Sequence, residues 1–115
     1  MSSIIYKIVP ATLWQDALNS GEFKGASIDL TDGYIHLSTA EQAPGTAARY
    51  FAGQQGLLLV AIDAEKLGDK LVYEPSPSGT LFPHLYATLS FDAVLWAKPL
   101  PLGADGAHLF PELDR

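Results

Sequence analysis

Apolar residues come along this chain in short bursts whose period switches between two and about three and a half. Ile4 to Val9 is rich in β-branched and aromatic residues and predicts a first strand, ended by Pro10. Thr12 then caps a helix running to about Asn19, with Leu13, Trp14, Ala17 and Leu18 on one face and Gly21 as its stop. Residues 23–33 show no period and read as irregular. Asp32-Gly33 is a turn signal directly before the strand Tyr34 to Leu37. Thr39-Ala40-Glu41-Gln42 is a Thr-x-x-Gln capping box that opens a second helix, with Ala43, Ala47 and Phe51 as its buried stripe and Pro44 tolerated near its start. Leu57 to Ile62 is a continuous apolar run, as a central strand covered on both faces requires. Asp63 caps a single turn closed by Gly68, and Leu71 to Glu74 is a short strand. A loop of turn formers, Pro75 to Gly79, leads to the segment Phe82 to Tyr86. Ala93 to Lys98 is the last strand, and the tail with Pro99, Pro101 and Pro111 is extended. The pattern predicts one α+β domain over residues 1–115, with two main helices against roughly five to seven short strands.

Composition narrows the function classes. An apolar fraction of 48% with 17% charged residues fits a packed domain. There is no cysteine, so disulfides and thiolate metal sites are excluded. Seven basic against 13 acidic residues give a formal charge of −6, which argues against nucleic acid as a partner. No basic region followed by a long apolar one opens the chain, and the run around Leu57 to Ile62 is too short to span a bilayer. The expectation is a cytoplasmic protein with no membrane association, whose oligomeric state the sequence leaves open.

The candidate chemistry lies in Tyr34-Ile35-His36-Leu37-Ser38-Thr39 and Phe82-Pro83-His84-Leu85-Tyr86. As strands, these put Tyr34, His36 and Ser38 on one face, and Phe82, His84 and Tyr86 on one face. Two such faces can line a groove for a small-molecule ligand; the plainer alternative is two histidines hydrogen-bonded within a core. Imidazole can donate to a sugar hydroxyl, exchange protons near neutral pH, or bind a metal. Metal binding is the weaker option, because the histidines have no i, i+3 or i, i+4 partner. Glu74, before the loop, is either an ordinary exposed carboxylate or one placed to stabilise a developing cation. Thr39 and Gln42 have a capping role, yet the same helix start can seat a phosphate. Tyr34, Phe82 and Tyr86 can stack on a planar ring. His108, in the tail, reads as a surface residue.

The chain resembles the bacterial family called domain of unknown function 952. The matching stretches are Ile5-Tyr6-Lys7-Ile8, Trp14, Asp32 to Thr39 with Gln42, Phe51-Ala52-Gly53, Leu59 to Asp63, Tyr73-Glu74-Pro75 and Phe82 to Tyr86. That family is similar in turn to the ADP-ribosyltransferase fold. The resemblance implies a split, mostly antiparallel β core that holds NAD in a cleft. It implies a ribose contact for His36 and later-strand roles near the ribose for His84, Tyr86 and Glu74. Tyr34, Ser38 and Thr39 would flank the ligand, and Lys7 is the convenient cation. The only arginines are Arg49 and Arg115, and Glu74 is not in a Glu-x-Glu context, so the chain departs from RNA 2′-phosphotransferases and from arginine-directed transferases. Three function classes follow. One is an NAD-utilising transferase or glycohydrolase with His36, His84 and Glu74 as catalytic groups. Another is a non-catalytic module that binds a small molecule or a protein. The last is a metal-assisted hydrolase.

Overall fold

A computed structural model describes residues 3–114. Its elements in chain order are β1 (Ile4–Pro10), α1 (Ala11–Ser20), α2 (Ser27–Asp32), β2 (Ile35–His36), β3 (Ser38–Thr39), α3 (Ala43–Tyr50), β4 (Leu57–Asp63), β5 (Leu71–Pro75), β6 (Leu81–Leu85) and β7 (Val94–Pro99), with 3₁₀ turns before β5 and β7. The fold is a small single-domain α+β structure with two antiparallel sheets. The first has the order β3-β1-β4-β7 and the second β2-β6-β5.

Strand alternation places the core. In β1, Ile5 and Val9 enter the layer that also holds Trp14, Phe23, Ile35, Leu37, Val60, Ile62, Leu85 and Leu89. Tyr6 and Ile8 face the opposite layer, with Ala43 and Ala47 of α3 and with Leu57, Leu59 and Ala61 of β4. The first sheet is thus covered by α3 on one side, and by α1 and the second sheet on the other. The β4 positions Leu59, Val60, Ala61 and Ile62 are each 0% exposed, which explains the unbroken apolar run. Each fully buried Leu, Val or Ile contributes about 1.5–3 kcal/mol.

One short segment joins the sheets. Ile35 and His36 pair with Leu85 and His84 of the second sheet. The Leu37 N–H still donates to the Pro83 carbonyl at 3.0 Å. Ser38 and Thr39 then pair with Tyr6 and Ile5 of the first sheet. The expected split core is present in this form.

Several local expectations shift. Helix α1 starts at Ala11 without a side-chain cap, and Gly21 ends it in the left-handed region at φ 94°. Trp14 and Ala17 are its buried residues, while Leu13 and Leu18 lie exposed. The Thr39–Gln42 box forms reciprocally at 3.0 and 3.3 Å, but it closes a turn, and α3 itself begins at Ala43. Residues 23–33 are not wholly irregular, because Ser27–Asp32 is a helix. That helix buries a carboxylate, Asp29, and leaves Ile28 and Leu30 exposed, so it carries no hydrophobic period. Among the described residues no helix is long and apolar enough to cross a membrane.

Candidate functional site

The site is the face of the second sheet that points away from the core. His36 and His84 are directly opposed across β2 and β6, with Val72 of β5 next in the same row. Directly opposed residues share a face, so both imidazoles emerge on one side. Their ring centroids are 5.6 Å apart. Tyr34 lies over the pair, stacked on His84 at 4.2 Å and tilted against His36 at 4.6 Å. Tyr86 completes the cluster, 5.1 Å from Tyr34. Gly33, at φ 87°, ends α2 and turns the chain into Tyr34.

Each histidine is oriented by a carboxylate. His84 Nδ1 donates to Glu74 Oε1 at 2.8 Å, and the Tyr86 hydroxyl donates to the same oxygen at 2.6 Å. The tautomer follows from the partner, since a carboxylate only accepts. His84 Nε2 then carries the lone pair when the ring is neutral. No protein group among the described residues bonds that nitrogen, and no buried side-chain polar atom lacks a partner, so solvent reaches it. The Tyr86 and His84 hydrogen bonds hold the Glu74 carboxyl below its ordinary pKa. The same bond to Glu74 pushes the Tyr86 hydroxyl up to about 12.

His36 is oriented by the element whose signal was absent from the sequence. Its Nδ1 lies 2.6 Å from Asp29 Oδ1, and its Nε2 lies 3.0 Å from Asp32 Oδ2, both carboxylates coming from α2. An imidazolium satisfies both contacts, whereas a neutral ring satisfies one. Asp29 is fully buried and collects four donors. Besides the His36 ring, these are the Ala26 N–H at 2.8 Å, the His36 N–H at 3.0 Å and the Lys7 ammonium at 2.8 Å. Burial pushes the Asp29 carboxyl up, but the Lys7 charge and these hydrogen bonds outweigh it and hold the group below its ordinary value. Burial draws the Lys7 ammonium down, opposed by Asp29. Asp29 sets the state of the pair, because four donors converge on it, while among the described residues the Lys7 ammonium meets only Asp29 and, at 3.1 Å, the His36 carbonyl.

The residues singled out in the sequence therefore divide. His36, His84, Glu74, Tyr34 and Tyr86 come together on one face. Ser38, Thr39 and Lys7 do not join them. Alternation does keep Ser38 on the side of Tyr34 and His36, but the chain changes sheets at Leu37. In the first sheet that side lies under α3, where Ser38 Oγ meets Thr46 Oγ1 at 2.9 Å. The Thr39 hydroxyl accepts from the Gln42 N–H. Lys7 shares the inward face of Ile5 and Val9 and is 5% exposed, so its charge is taken up inside the protein. Phe82 pairs with Glu74, two residues along the strands from the His84–Val72 pair. His108 Nε2 lies 2.8 Å from the Gln54 carbonyl, away from the pair in its contacts. Among the described residues, no three His, Cys, Asp or Glu side chains group as a metal site.

Two residues of the site had no motif in the sequence, Asp29 and Gly25, and Asp32 was read only as part of a turn signal and of the family resemblance. A Cβ on Gly25, at φ 119°, would stand 2.7 Å from Asp29 Cβ, so glycine is what allows Asp29 its buried position. One signal for Asp29 was available. A lysine in an otherwise apolar strand needs a buried counter-ion, and acidic residues precede His36.

A family model described as a protein of unknown function (DUF952) matches residues 8–97. The crystal structure of protein CC0527 from Caulobacter crescentus is similar to this chain, with a TM-score of 0.89 and 46% identity over 93% of this chain and 94% of that one. The solution NMR structure of CC0527 gives a TM-score of 0.82 and 47% identity over 90% of each chain. No curated protein matches.

Proposed function

The chain belongs to the DUF952 family of proteins of unknown function, and from that starting point we propose that the histidine face is an NAD site at which the nicotinamide–ribose bond is broken. The observation that carries the reading is Glu74, whose Oε1 is fixed by His84 and Tyr86. Among the described residues no hydrogen bond takes its second oxygen, which is left to meet a ligand. Cleavage of the glycosidic bond releases neutral nicotinamide and builds positive charge on the ribose, which a carboxylate with a depressed pKa stabilises. The incoming nucleophile, water or an acceptor hydroxyl, gives up its proton as its oxygen bonds to the ribose carbon. His84 Nε2, open to solvent and fixed by Glu74, is the base that takes this proton. His36 contributes a positioned ring edge rather than a free base, since both its nitrogens face carboxylates. The split between two sheets, joined at Leu37, supports the likeness to ADP-ribosyltransferases on which the choice of NAD rests. The test is NAD titration by calorimetry, with nicotinamide release followed by chromatography. Binding and turnover are expected in the natural protein, with turnover abolished in Glu74→Gln. No heat at millimolar NAD would sink the proposal.

A second reading has one observation in its favour: His36 is bonded as a structural residue, with Asp29 buried beneath it. On that reading the face binds a small molecule without transforming it. NAD binding that depends on His84, with no nicotinamide released over many hours, would select this version.

A further inference from the structure

Charge is distributed unevenly across the cluster. Three carboxylates, Asp29, Asp32 and Glu74, contact the histidines, against one ammonium, Lys7. Even with His36 protonated, three negative charges against two positive ones leave one net negative charge. The exposures decide which sign a ligand meets. The Lys7 and Asp29 side chains are 6% and 0% exposed and neutralise each other inside, whereas Asp32 and Glu74 are 40% and 36% exposed. Of these four charged side chains, the two that reach solvent are therefore both carboxylates. Tyr34, stacked by one face on His84, and Tyr86, bonded to Glu74, belong to the same cluster with ring centroids 5.1 Å apart, and their negative quadrupoles also attract a cation.

We propose that this face selects a positively charged planar N-heterocycle, so that the ligand seats its pyridinium ring against Tyr34 and Tyr86 between Asp32 and Glu74, and keeps its phosphates away from the histidines. The proposal rests on the NAD reading for the place of the ring, but it adds a sign. The oxidised, cationic nicotinamide is recognised, and its neutral relatives are not. The Tyr34 hydroxyl reports the same field: after burial, the charges of Asp32, Glu74 and Asp29 hold its proton on above the ordinary tyrosine value. A diphosphate beside the histidines would face these carboxylates with Lys7 already taken, so the anionic end must bind elsewhere or extend into solvent.

The experiment compares 1-methylnicotinamide, a permanent cation, with neutral nicotinamide of nearly the same shape, with ADP-ribose, and with NAD itself. Binding is followed by NMR shifts of the His84, Tyr34 and Tyr86 side chains. The cation is expected to bind roughly tenfold more tightly than nicotinamide, from cation–π attraction and two nearby carboxylates. That preference should shrink severalfold in Asp32→Asn, in Glu74→Gln and at high salt. Equal binding of 1-methylnicotinamide and nicotinamide overturns the inference. ADP-ribose shifting these rings while 1-methylnicotinamide does not also overturns it and leaves the NAD reading standing. If 1-methylnicotinamide binds and NAD does not, the NAD reading fails and the preference for a planar cation survives.

Discussion

Replacing Lys7 with methionine keeps the volume of the side chain and removes its charge. The Asp29 carboxylate, 0% exposed, then loses the Lys7 ammonium at 2.8 Å and keeps three donors: the Ala26 N–H, the His36 N–H and His36 Nδ1. Removing one partner of a buried pair costs about 3–5 kcal/mol, and the surviving donors place Lys7→Met near the lower end, at about 3 kcal/mol. Urea unfolding at pH 7 reads this as a fall of about 2 M in the midpoint, for a slope near 1.5 kcal/mol/M. The partner variant supplies the control. In Lys7→Met with Asp29→Asn no unpaired charge remains buried, so the double variant should lose less than the two single losses added, by at least about 1 kcal/mol. The His36 ring signals should also move in the single variant, because Asp29 is shared between Lys7 and His36. A loss under about 1 kcal/mol, or strict additivity in the double variant, would show that Asp29 does not depend on Lys7 and would refute the buried pair as the support of His36.

Other outcomes follow from the same contacts. Gly25→Ala combines φ 119° with a Cβ 2.7 Å from Asp29, so it should lower stability by about 2 kcal/mol or more in thermal unfolding and shift the His36 ring resonances; an unchanged midpoint would contradict the close approach. Tyr86→Phe removes the hydroxyl from Glu74, and carbon-detected NMR titration should find the Glu74 carboxyl pKa moved up towards the ordinary glutamate value, with His84 still holding part of the shift; an unmoved carboxyl would refute the Tyr86 bond. Asp29 has a depressed folded-state pKa, so the stability it supplies is present above the ordinary aspartate value and is lost as pH falls through the lower folded one. The stability difference between the natural protein and Asp29→Asn should therefore be flat from neutral pH to about 5 and shrink in stronger acid; growth of the difference on acidification would reverse the sign.

The fold was legible where burial leaves a period. The runs Ile4 to Val9 and Leu57 to Ile62 became β1 and β4, because a strand between covered layers must be apolar, and Ala93 to Lys98 became the edge strand β7, which begins one residue later at Val94. The two histidine segments emerged as neighbours with both rings on one face. What could not be read was non-local. Strand alternation says that Ser38 follows His36 on one side, but not that the chain passes to another sheet between them. The capping box predicted a bond pattern correctly and a helix start too early, since two residues can bond reciprocally around a turn. Helix α2 was missed because its inward residue is Asp29, whose partner Lys7 lies on a distant strand. Lys7 was read as a cation for a ligand, but its position between Ile5 and Val9 on the inward face of β1 commits it to Asp29.

The NAD site proposed above brings His84, Glu74, Tyr34 and Tyr86 to one ligand. Its most direct measurement is an NMR titration of the protein with NAD, observing the His84 imidazole and the two tyrosine rings in the natural protein and in His84→Ala. Saturable shifts of the Tyr34 and Tyr86 signals are expected in the natural protein, with affinity at least about tenfold weaker in His84→Ala, a change of about 1.4 kcal/mol. Rings that do not respond to millimolar NAD, or an affinity unchanged by His84→Ala, would contradict it.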